Sequence, residues 1–219
     1  MKFIPIIIAA IILESCSTQN PNPNNNGSNN TTLSTVTICS QVWMTKNLDV
    51  STYRNGDAIP QVSDPSAWGN LTTGAWCYYN NDPAMGIIYG KLYNWYAVND
   101  TRGLAPIGYH IPSDAEWTTL ETCLGGSTFA GGAMKEAGLM HWLSPNTGAT
   151  NSSGFAGLPG GRRDFAMSFW GIGSGGSWWT STERYPSSAW CRNLTNSQIP
   201  IGKIGDSEKN GFSVRCIKD

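Results

Sequence analysis

The sequence predicts an α+β domain, rich in loops, with a core built from aromatic side chains. Three observations point there. Ten Trp, eight Tyr and 25 Gly occur in 219 residues, which suits a β-containing fold with many tight turns. The last third alternates short apolar segments with polar, turn-prone ones, as in an antiparallel meander. A central stretch, "GYHIPSDAEWTTLETCLGG", carries helix start and stop signals instead.

In chain order, "VTICSQVWM" alternates, with Val36, Ile38, Ser40 and Val42 on one side and Thr37, Cys39, Gln41 and Trp43 on the other, which predicts a strand. "TGAWCYYNNDPAMG" reads as a short aromatic strand closed by a turn. Its segment Asn80–Ala84 offers oxygen ligands suited to Ca²⁺, but it reads more simply as that turn, and no metal site is assigned. "GKLYNWYAVND" fits a helix or a buried strand, and periodicity does not choose. His110 lies beside Asp114 and Glu116 and raises the question of acid–base chemistry. Ser113 followed by Glu116 is a capping box, and Asp114 suits the positive end of a helix dipole, so both carboxylates already serve the helix start. His110 is then a packing or hydrogen-bonding residue. Trp117, Leu120 and Leu124 form the apolar stripe, and Gly125-Gly126 ends the helix. "GLPGGRRDF" and "GIGSGGS" mark loops or tight turns. "SWWTSTE", "SAWCRNL" and "GFSVRCIKD" are the closing strands, with Phe212, Val214 and Cys216 facing the core.

Charged residues make up 13% of the chain, about half the usual ~25%, and the net charge is −1. No basic field argues for a nucleic-acid partner. At the start, Lys2 and the apolar run Phe3–Leu13 fit a signal peptide over 1–15 and are too short to span a bilayer. Leu13-Glu14-Ser15-Cys16 resembles the bacterial lipobox, with Glu14 a departure, so Cys16 is expected to carry the lipid. Residues 16–35 are rich in Asn, Pro and Ser and cannot bury enough surface to fold. They read as a tether spanning about 25 Å between a membrane and a domain over 36–219. The expected location is the cell envelope, on an outer membrane.

Six cysteines are present: Cys16, Cys39, Cys77, Cys123, Cys191 and Cys216. With Cys16 lipidated, five remain in an oxidising compartment, allowing at most two bridges and leaving one thiol. There is no CxxC and there are two histidines, His110 and His141, so zinc is not predicted.

"VWMTKNLDVSTYRNGDAIP", "AWCYYNND", "YGKLYNWYAV", "GYHIPSDAEWTTLE", "SGFAGLPGGRRD", "WWTSTE" and "GFSVRCIKD" occur in the order found in the Fibrobacter succinogenes major paralogous domain. The chain resembles that family from Val36 to Asp219. The family is common in exported and lipid-anchored proteins of Fibrobacter and Bacteroidetes, and it implies no biochemical activity. "HIPSDAEW" and the closing strand are also similar to formylglycine-generating-enzyme domains. That similarity implies a C-type lectin-like fold: a twisted antiparallel sheet, two helices and long loops, with Ser113–Leu124 as the first helix and Phe212–Ile217 as the closing strand. It further implies a Cys123–Cys216 disulfide; Cys39–Cys77 is the second pair expected beside it, and Cys191, where the Fibrobacter family would carry an aromatic, is the expected unpaired thiol. The catalytic cysteine and three-histidine iron segments of that fold find no match here, so the domain is expected to be non-catalytic, without cofactors. A monomeric module binding a glycan or an envelope protein follows, with Trp68, Trp76, Tyr78, Tyr79, Trp170 and Trp178 as aromatics on which a ligand would stack. The alternatives are a structural component of a surface layer or secretion complex and, more remotely, an envelope enzyme.

Overall fold

The computed structural model describes residues 33–165 and 168–219. The expected signal peptide, the expected lipidation at Cys16 and the expected tether as far as residue 32 lie outside the described residues. The first strand already begins at Thr35 and Thr45 N–H donates to the Ser34 carbonyl, so the last residues assigned to the tether belong to the folded domain.

The predicted first strand is a hairpin. β1 (Thr35–Ile38) and β2 (Gln41–Met44) pair antiparallel around Cys39, which sits at φ +53°. Short helices follow, each started by a side chain accepting backbone N–H groups: Asp64 for α1 (Pro65–Gly69), Asp82 for α2 (Pro83–Tyr89) and Asn94 for α3 (Trp95–Val98). Asp82 is therefore a helix cap, and Asn80 and Asn81 adopt left-handed φ in the turn before it. "GKLYNWYAVND" divides at Asn94: Leu92–Tyr93 is a strand, β4, that pairs with β3 (Trp76–Cys77), and α3 follows.

β5 (Tyr109–His110) leads into α4 (Asp114–Cys123). The capping box is formed: Glu116 N–H donates to Ser113 Oγ at 3.3 Å and Ser113 N–H to Glu116 Oε2 at 2.8 Å. Trp117 and Leu120 are fully buried, and Gly125 at φ +94° stops the helix before α5 (Ser127–Met134).

The remaining strands are β6 (Gly160–Arg163), β7 (Phe169–Ile172), β8 (Gly175–Tyr185), β9 (Ser188–Thr195), β10 (Gly202–Ser207) and β11 (Ile217–Lys218). β8, β9 and β10 form the expected meander within a five-stranded sheet of order β10-β9-β8-β6-β7, in which β6 and β8 run parallel. A second sheet, β1-β2-β11-β5, unites strands from the two ends of the domain. The architecture is thus α+β with mixed sheets. The segment before β11 threads between them, with Phe212, Val214 and Cys216 in one core cluster and Ile217 in another. Both of its faces are buried, and the intervening Arg215 is buried as well.

Candidate functional site

The sheet register builds a hollow. Ser177 on β8 stands opposite Asn193 on β9, which stands opposite Gly202 on β10, and the next row pairs Gly175 with Thr195. Side chains alternate across a strand, so these rows share a face with Trp179 and Cys191, which lie in the core. The opposite face carries Trp178 and Leu194 into a second cluster beneath α4. Where the first face leaves the core, Gly175 and Gly202 contribute no side chain, and the surface sinks.

The β6–β7 hairpin walls the hollow. Arg162 and Trp170 are directly paired across it and project together. Gly161, at φ +66°, lets this wall come close, since a Cβ there would lie 2.6 Å from both the Trp170 carbonyl and the Tyr79 ring. The result is a cavity of about 280 Å³ lined by Arg162, Trp170, Ser174, Ser177, Asn193 and Thr195 with intervening glycines. Trp170 is 58% exposed at its edge. Two polar atoms of the lining, Asn193 Oδ1 and Thr195 Oγ1, are buried and have no hydrogen-bond partner among the described residues. Both atoms are covered by protein, Asn193 Oδ1 by Gly202 of β10, where a Cβ would lie 2.0 Å from it.

Of the six aromatics proposed for stacking, Trp170 is the exposed one. Trp68 and Trp178 are 0% exposed, Trp76 and Tyr79 are buried, and Tyr78 is half-buried, edge-on to Trp76. Their polar tips explain the burial. The indole N–H of Trp68 donates to the Lys209 carbonyl, that of Trp76 to the Ile59 carbonyl and that of Trp178 to Asn47 Oδ1. Asn193, Thr195 and Ser177 were not singled out in the sequence. The signal for them was the alternation in "CRNLT", which sets Asn193 and Thr195 opposite Leu194 and against the glycines of "GSGGS".

The disulfide is Cys39–Cys123, tying the β1–β2 turn to the end of α4. It replaces both expected pairs, Cys123–Cys216 and Cys39–Cys77. Cys216 is fully buried in the threaded segment and Cys77 packs in the β3–β4 cluster. Cys191 is unpaired as expected, but so are these two. Burial pushes the Cys77 thiol up to about 11 and Cys216 up to about 12, so neither is a thiolate at neutral pH.

His110 lies between two carboxylates, with Nε2 2.8 Å from Glu116 Oε1 and Nδ1 2.8 Å from Asp219 Oδ1. Burial disfavours its charge, but the hydrogen bonds to Asp219 and Glu116 outweigh that and raise its pKa. Among the described residues, no group of three His, Cys, Asp or Glu side chains is arranged to hold a metal ion.

Residues 36–218 match the Fibrobacter succinogenes major domain. The chain belongs to that family. No curated protein and no solved structure matches it. Within this Fibrobacter succinogenes major domain, the hollow beside Trp170 combines a cavity, an exposed indole, a cation and polar lining side chains.

Proposed function

We propose that the protein is a non-catalytic, lipid-anchored module of the cell envelope, of C-type lectin-like architecture, that binds a glycan in the hollow bounded by β6, β7, β8 and β9. The observation that carries this reading is the pairing of an exposed indole with a cavity lined by polar side chains. A pyranose presents an apolar C–H face and a ring of hydroxyls, which need a flat aromatic and fixed acceptors or donors. Trp170 supplies the first, and the lining residues Ser174, Ser177 and Asn193 the second. The volume of about 280 Å³ is at the lower end for ligand sites, which suits one sugar residue of a chain. The capped α4 and the shared sheet of the terminal strands support the lectin-like architecture.

A glycan array tests the site. Binding to at least one saccharide is expected, weakened about tenfold by Trp170→Ala, in keeping with aromatic contacts worth about 0.5–1.5 kcal/mol. Binding untouched by Trp170→Ala and Asn193→Ala would rule this hollow out. For the anchor, Cys16→Ala should release the protein from membranes, and retention would refute lipidation.

A further inference from the structure

Arg162 is the cation left without a hydrogen bond at this site. Among the described residues its guanidinium has one polar neighbour, Asp206 Oδ2, at 3.8 Å, beyond hydrogen-bonding reach. The Asp206 carboxylate is engaged elsewhere, its Oδ1 accepting from Ser207 N–H at 2.9 Å and from Asn210 Nδ2 at 2.7 Å. The adjacent Arg163 behaves differently, donating to the Val62, Ser63 and Asp64 carbonyls and stacking over Trp68 and Phe169. Arg162 therefore has the whole guanidinium fork to offer, on a side chain 40% exposed and directly across the hairpin from Trp170.

Resting on the saccharide reading above, we infer that the hollow selects a carboxylated sugar, a hexuronate. Its ring would stack on Trp170 and its C6 carboxylate would meet the Arg162 fork. A guanidinium matches a carboxylate bidentately through two parallel N–H···O bonds, and such charged bonds are roughly twice as strong as neutral ones. The neutral hexose of the same configuration would keep the stacking and the contacts to the polar lining and would lose the charged pair. Asp206 sharpens the expectation, because it competes with an incoming carboxylate for the same cation. Removing its charge should tighten the uronate and leave a neutral sugar unaffected.

The experiment is calorimetric titration of the full chain with oligogalacturonate and oligoglucuronate, and with their methyl esters, at low and high salt. The expected result is that at least one free acid binds about tenfold or more tightly than its ester and weakens as salt rises. Arg162→Gln should bring the acid-to-ester affinity ratio to about one, and Asp206→Asn should raise acid affinity, a gain that misfolding cannot mimic. Equal affinity for acid and ester, unmoved by either variant, would overturn the carboxylate assignment and leave the saccharide site standing. Absence of binding to acids and esters alike would overturn the assignment too. If an array of neutral glycans was then also blank, the saccharide reading would fall with it.

Discussion

Replacing Arg215 should cost the domain much of its stability, and the structure says by how much. The side chain is buried among apolar groups with no carboxylate in contact. Its N–H groups donate to the Met44 carbonyl at 3.1 Å, the Phe155 carbonyl at 2.6 Å and Asn47 Oδ1 at 2.8 Å, while the guanidinium lies 4.4 Å above the Phe155 ring. Burial lowers its pKa to about 9, so it remains charged at neutral pH. In Arg215→Ala, Asn47 Oδ1 keeps the Trp178 indole N–H at 2.8 Å, but the Met44 and Phe155 carbonyls lose the guanidinium N–H groups. Two buried carbonyls deprived of a donor cost about 1–3 kcal/mol each. The vacated volume adds to this, and relief from burying a charge subtracts. The expected net loss is about 3–5 kcal/mol, a large share of a typical total of about 5–15 kcal/mol. Urea unfolding followed by circular dichroism measures it. Arg215→Met separates the causes: it fills much of the space without restoring donors, so it should still lose about 2 kcal/mol or more. A loss below about 1 kcal/mol for Met, with an unchanged denaturant slope, would show that Arg215 acts through packing and that the carbonyl argument is wrong.

Reduction of Cys39–Cys123, which closes a separation of 84 residues, should destabilise the domain by about 2–5 kcal/mol. Native Cys77, Cys191 and Cys216 should resist iodoacetamide, read by mass, until the chain unfolds; rapid native alkylation would contradict their burial. The raised pKa of His110 has a definite sign. Its contribution is fully present below the unfolded value of about 6.5 and is lost as pH rises through the higher folded value. His110→Gln should flatten that part of the stability–pH curve, by less than about 1 kcal/mol for so exposed a pair, and an unchanged curve would refute the two-carboxylate account.

Local chemistry was legible from residue types alone. Ser113 and Glu116 announce α4 because a capping box involves residues three apart, and the meander is visible because alternation and turns are equally local. The β1–β2 hairpin was hidden because its turn is Cys39-Ser40, with no Gly, Asn or Pro to mark it. The Cys123–Cys216 pairing implied by the lectin-like resemblance fails because that turn brings Cys39 to the end of α4, while Cys216 is drawn into the core with Phe212 and Val214. The tryptophans misled because an indole serves two ends. It fills a core, and its N–H satisfies a carbonyl in irregular backbone, as Trp95 does for Thr180, Trp142 for Gly157 and Trp179 for Tyr93. Whether such a carbonyl lies nearby is a tertiary fact that composition does not carry.

Three of the buried cations follow the same logic, whereas Lys91 pairs with Asp49 and Arg192 with Asp114 and Glu121. Lys135 donates to the Thr147, Thr195 and Gln198 carbonyls, Arg163 to Val62, Ser63 and Asp64, and Arg215 to Met44 and Phe155. A loop-rich domain has many backbone carbonyls outside ladders, and each must find a donor. A long cation with several N–H groups meets that need at one stroke, whereas helices and strands would meet it residue by residue. Arg162 differs from both groups, with neither a carbonyl nor a carboxylate in hydrogen-bonding reach among the described residues. It follows two glycines and precedes Arg163 in "GGRRD", and strand alternation sends its neighbour inward to loop carbonyls while Arg162 turns toward the hollow. If Arg162 were another backbone staple, it would have carbonyls within reach. It has instead a carboxylate held off at 3.8 Å and an exposed indole across the hairpin, the surroundings of a cation positioned for a ligand.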